Sequence, residues 1–162
     1  MTKLLLSLHV LAAVLLIGPA TVAASLFPRY AREALAPAED QAGPRPVPSA
    51  VRLLHRVTRV YAVLGVSVPV FGMATAKQMG VLGDTWLVTS MALTAVAAVL
   101  LGIAVFTQDA VMTALEEPWS DEAARSAVAR LPRLSMVTGL FALSWAVVTV
   151  LMIVRPGSTT GA

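Results

Sequence analysis

The sequence predicts an all-α, polytopic membrane protein: one domain forming an antiparallel bundle of four transmembrane helices. Three observations predict it. Four apolar runs, about 4–27, 57–76, 85–107 and 134–154, lie within 162 residues, and each approaches the ~20 residues that carry a helix across a hydrocarbon core. Only Arg59, near the start of the second run, brings a charge into any of them. Hydrophobic residues make up 57% of the chain and charged residues 13%, whereas soluble domains carry roughly 25% charge. A barrel strand needs only ~10 residues and alternates in polarity. These runs are about twice that length and do not alternate, so helices are expected.

The first run opens on Lys3 and contains Val22-Ala23-Ala24, which together imitate a signal peptide. Its apolar stretch is too long for a signal core, so an uncleaved span is expected. Gly18-Pro19 should kink it, because proline removes one backbone hydrogen bond. The helix should then run past Phe27-Pro28 into the basic turn at Arg29 and Arg32. A stiff, Pro-rich linker follows over 36–49, with Pro37, Pro44, Pro46 and Pro48.

The second helix should begin ahead of its apolar run. Arg52, Arg56 and Arg59 recur at i, i+4 and i+7 and share one face, a pattern suited to anionic lipid headgroups. Pro69 should bend this helix near its centre. A tight turn over 80–84 leads to the third helix, which Asp84 or Thr85 can cap. Trp86 falls at the membrane interface, where Trp is enriched. The third helix should continue to about Glu117 and stop at Pro118. Ser120 followed by Asp121 and Glu122 signals a new helix start. A short amphipathic surface helix is expected over 121–131, ended by Pro132, with the last span after it.

Small residues form two stripes: Thr94, Ala98 and Gly102 on the third helix, and Thr138, Ala142 and Ala146 on the fourth. Such stripes let helices approach closely, either inside the bundle or across a homodimer or larger membrane complex.

Lys and Arg divide unevenly between the two faces. The face holding both termini carries Lys3, Lys77 and Arg155. The other carries the remaining nine: Arg29, Arg32, Arg45, Arg52, Arg56, Arg59, Arg125, Arg130 and Arg133. Positive residues stay cytoplasmic, so both termini are expected outside and both long connections inside. Arginine outnumbers lysine ten to two, as in GC-rich bacterial genomes, and the bacterial cytoplasmic membrane is the expected location. The arginines cluster beside spans, so the lipid bilayer is the expected partner and nucleic acid is not.

The absence of cysteine removes disulfides, zinc thiolates, iron–sulfur clusters and cysteine nucleophiles. No G-x-S-x-G motif or phosphate loop appears. The spans hold no acid for an ion pathway, and Glu116, Glu117, Asp121 and Glu122 read as a solvated helix end. The two histidines, His9 and His55, lie on the order of 20–25 Å apart in depth at 1.5 Å per residue, too far to share one iron. His55 is expected at headgroup level beside its arginines. His9 shares its depth with outer-half methionines, Met73 and Met152 among them, and imidazole with thioether suits haem or Cu(I). His9 is otherwise an interhelical hydrogen-bonding residue.

His9 within Leu8-His9-Val10-Leu11-Ala12-Ala13, Gly18 after it, Gly83-Asp84-Thr85-Trp86-Leu87-Val88, and the closing Met152-Ile153-Val154-Arg155-Pro156-Gly157 form an ordered pattern. It resembles the bacterial integral membrane proteins grouped as domain of unknown function 2269. That resemblance covers nearly the whole chain and implies a four-helix membrane protein with no assigned activity. A more distant likeness is to copper-resistance-type membrane proteins, which carry more spans and further histidines; His9 alone matches them. The expected function is that of a non-catalytic accessory or interaction subunit with no cofactor. The alternative is a haem- or copper-handling redox protein using His9, Met73 and Met152.

Overall fold

A computed structural model describes residues 2–36, 46–118 and 120–157. They form six α-helices and no strand: α1 (Thr2–Ala12), α2 (Gly18–Ala34), α3 (Ser49–Gly65), α4 (Ser67–Met79), α5 (Thr85–Glu116) and α6 (Asp121–Val154). Joined across their breaks, these give four helical rods long and apolar enough to cross a membrane. Most of the Pro-rich linker, including Arg45, lies outside the described residues.

Proline chemistry explains the breaks. Pro19 has no N–H for the Leu15 carbonyl, and its ring crowds that oxygen. The chain answers with one π-helical turn, Ala13–Ile17, between α1 and α2. Pro69 stands in the same relation to Gly65, so the second rod parts at Gly65–Ser67, four residues ahead of the proline rather than at it. The Ser67 hydroxyl closes that break by donating to the Leu64 carbonyl at 2.7 Å.

Pro132 behaves differently. The separate surface helix expected over 121–131 does not stop there; α6 runs unbroken from Asp121 to Val154. Pro132 is exposed, while Leu131 and Leu134 on either side are buried. The ring therefore sits on the open side of the helix, and the packed neighbours hold the axis through it.

Most turn signals act as the sequence implies. Gly80 ends α4 at φ 71°, the left-handed conformation that favours glycine. The Ser120 hydroxyl accepts the Ala123 N–H at 3.1 Å and caps α6. Asp84 occupies the cap position of α5, but its carboxylate accepts from Trp86 Nε1 at 3.0 Å instead of capping. The Arg155 guanidinium stands 5.6 Å from the Trp86 ring centroid, so this trio ties the start of α5 to the end of α6.

Packing is close because the inner residues are small. Ala20, Ala23, Ala24 and Ala31 on α2 are almost wholly buried, as are Ala97 and Ala104 on α5. α2 packs on α3 and α6, α1 on α4, and α5 along α6. The large core side chains Phe27, Leu131, Leu134 and Phe141 fill the spaces between. The outer surface is greasy: Phe106 is 76% exposed and Ile153 73%. Thr94, Ala98 and Gly102 also face outward or sideways, and a Cβ added at Gly102 meets nothing within 4 Å. Ala97, Leu101 and Ala104 form the buried edge of α5 instead. Internal packing is therefore not the work of the α5 stripe.

Adding volume at these inner alanines should be harmful. Ala24→Leu is expected to lower stability by about 1–3 kcal/mol, the usual penalty of overpacking. Val22→Leu, on the exposed side of the same helix, should change it little. Thermal unfolding in detergent compares the two.

Candidate functional site

Most buried polar side chains are satisfied within their own helices. The hydroxyls of Thr58, Thr75 and Ser90 donate to the carbonyls of Leu54, Phe71 and Trp86, four residues back. Buried Thr138 donates to the Ser135 carbonyl at 3.0 Å. These hydroxyls are engaged locally and do not point at a general base. Three polar side chains, His9, His55 and Gln108, stand apart from this pattern.

His55 lies on the inward face of α3, between Val51 and Thr58, while Arg52 and Arg56 are exposed. Its side chain is only 14% exposed, so it faces the neighbouring helices rather than the open surface. Nε2 stands 3.2 Å from Asp109 Oδ1 on α5, and Arg59 Nη1 approaches the same oxygen at 3.7 Å. The ring also lies against Phe27, with centroids 6.3 Å apart. A carboxylate only accepts, so Nε2 carries the proton toward Asp109. Nδ1 is buried and has no partner among the described residues. The arginine face is thus divided: Arg59 joins the His55–Asp109 pair, and Arg52 and Arg56 remain on the surface.

Gln108, next to Asp109, is turned the other way. It is fully buried on the stripe formed by Leu101, Ala104 and Val111. Neither atom of its amide has a partner among the described residues. A buried, unpaired polar group costs about 1–3 kcal/mol, which marks this layer as a polar centre within an apolar core.

His9 is 9% exposed and sits against α4. Its Nδ1 lies 3.0 Å from the Val68 carbonyl. The carbonyl only accepts, so Nδ1 donates and Nε2 holds the lone pair of the neutral ring. Gly72 makes room for this ring: a Cβ there would fall 2.9 Å from His9 Cε1. The other two expected members of the set, Met73 and Met152, sit in different surroundings. Met73 is 47% exposed. Met152 packs against Ala76, Trp86 and Leu87. No cluster of three or more His, Asp or Glu side chains suited to a metal occurs among the described residues.

The sequence carried a signal for Asp109 that spacing alone did not expose. It is the first charge after an uncharged stretch of α5, at residues 85–108, and His55 is the first ionisable inward residue of α3. Matching the two requires knowing which helices touch. Gly72 was likewise silent, because a glycine shows its purpose only once the ring beside it is placed.

Two double-mutant cycles, followed by thermal unfolding, test these contacts. In a helix interior Gly→Ala ordinarily gains up to ~1 kcal/mol. Gly72→Ala should instead destabilise, and the loss should shrink in the His9→Ala background. Asp109→Asn and His55→Asn should couple by about 1 kcal/mol, within the range for contacting residues.

Searches against protein-family models, curated proteins and solved structures find no match to this chain.

Proposed function

We propose that this chain is a multi-pass protein of a bacterial cytoplasmic membrane, threaded four times as an antiparallel bundle, and that it serves as a non-catalytic accessory or interaction subunit. One observation carries the membrane reading: large apolar side chains such as Phe106, Val63 and Ile153 cover the outside of the bundle, where a water-soluble bundle carries charged and polar residues. The uncharged stretches 4–28, 60–76, 85–108 and 134–154 supply the hydrocarbon-facing length. The pairing of α1 with α4 and of α2 with α3 supports the antiparallel course. In the proposed orientation both termini are outside, and His55, Asp109 and most arginines lie near the cytoplasmic face, as the charge bias requires. The trio of Asp84, Trp86 and Arg155 then occupies the opposite interface.

The outward-turned Thr94, Ala98 and Gly102 support the interaction role. A helix side free of bulk gives another membrane helix room to approach. Membership of the family grouped as domain of unknown function 2269 belongs to the same proposal, as does headgroup contact by Arg52, Arg56 and Arg59.

One observation favours a second reading. The His9 ring is held by a backbone carbonyl at Nδ1, the arrangement that orients metal-ligating histidines. In that reading Nε2 is a ligand to haem iron or copper, with Met73 or Met152 completing the set.

Reporter fusions at both termini and at the 36–49 linker test the topology: only the linker fusions should report from the cytoplasm. Purification from native membrane with mass spectrometry should recover a stoichiometric membrane partner. The absorption spectrum and metal content of the same sample decide between the readings. A Soret band or bound copper that disappears in His9→Ala replaces the accessory role with the redox one.

A further inference from the structure

We propose that the layer around Gln108 is a built site for water, in which one or two molecules hydrogen-bond to the Gln108 amide and to His55 Nδ1. The inference goes beyond the accessory role and does not depend on the identity of any partner.

Three polar atoms carry it: Gln108 Nε2, Gln108 Oε1 and His55 Nδ1, all buried and unpartnered among the described residues. The proposal places them in one layer. His55 packs on Phe27, and Phe27 shares a core cluster with Ala104 and Val111, the residues that flank Gln108 on its stripe. Leucine fills such a position without leaving a polar atom to satisfy, as Leu101 does two turns earlier on the same stripe. An amide held there has a use only if something meets both its donor and its acceptor.

The chemistry selects the ligand. The amide offers two N–H donors and an oxygen acceptor. Because Nε2–H is directed to Asp109, the neutral imidazole offers a lone pair at Nδ1. A bound group must therefore both donate and accept. Water does this, and buried water characteristically makes about three such bonds. A metal cation is a poor fit, since the layer supplies only one imidazole nitrogen and one amide oxygen as inward ligands. Asp109, 36% exposed, links the layer to the surface through His55.

The test uses the full-length protein, labelled with 15N-glutamine, in nanodiscs of phosphatidylcholine and phosphatidylglycerol. Three side-chain amides are labelled, Gln41, Gln78 and Gln108, and loss of a signal pair in Gln108→Leu identifies the buried one. Exposed Gln78 reports exchange with bulk solvent. The proposal expects magnetisation transfer between water and the Gln108 amide in the wild type. That transfer should be lost or strongly reduced in His55→Phe, and kept in Leu53→Ala on the exposed face of α3. A dry Gln108 amide beside a hydrated Gln78 overturns the proposal. So does transfer that is unchanged in a folded His55→Phe. If His55→Phe does not fold, His55→Asn supplies the second comparison, and the wild-type result decides on its own whether water is there.

Discussion

The structure depends on one constraint: a rod with a greasy outer surface must satisfy its polar backbone from within. Helices do this by construction, and closed barrels are the only other solution in lipid. The serine and threonine side chains follow the same rule. Repeatedly their hydroxyls donate to the carbonyl one turn back, as at Thr58, Thr75, Ser90 and Thr149. Once those groups are closed off locally, dispersion and shape decide how the rods meet. That is why alanine dominates the inner edges, where backbones must approach, and leucine and valine the outer ones. The prolines show what happens when the constraint is broken. Pro19 is accommodated by a wider turn, Pro69 by a break closed with a serine hydroxyl, and Pro132 by facing its ring outward.

Against that background the His55–Asp109 contact stands out as a choice. It joins α3 to α5 through side chains, where most other contacts between the rods are apolar. Arg59 adds its charge from the surface side, so the carboxylate is flanked by two cationic or potentially cationic partners. At the far end Arg155 and Asp84 meet at the Trp86 indole. The guanidinium sits over the ring, and the indole N–H donates to the carboxylate. Each end of the bundle is thus fastened around one carboxylate, Asp109 with His55 and Arg59 at one end and Asp84 with Trp86 and Arg155 at the other, and the length between is held by packing.

Much of this was legible in the sequence, for reasons that differ by element. The rods follow from run length, the α6 start from Ser120 with two acids behind it, and the α4 end from Gly80. Each of these is a local rule with a local cause. Pro132 misled because a proline ends an isolated helix, whereas a packed one absorbs it, as α6 does at the exposed Pro132 and α2 at the buried Pro28. Asp109 was overlooked because it sits just past an apolar run, where a charge is ordinarily solvated. Its importance lies in a histidine 54 positions away, and only the docking of α3 on α5 brings the two together. The same holds for Gly72 and His9. A pair contact across rods leaves no periodic trace in either rod alone.

The two histidines differ in a way that bears on what each can do. His9 is anchored by a carbonyl, which accepts the Nδ1–H hydrogen bond and fixes the ring without adding charge. His55 is anchored by a carboxylate that reaches the surface, and its other nitrogen is buried. The first arrangement orients a lone pair and holds it still. The second ties a carboxylate near the surface to a buried ring whose other nitrogen has no partner among the described residues. A purely structural tie between α3 and α5 would need no amide at Gln108, since Leu or Met fills that volume at less expense. The unpaired amide beside the His55–Asp109 link is therefore the feature that packing alone does not account for. Whatever biochemical role the bundle has beyond holding its shape, its arginine-rich end has the better-equipped chemistry.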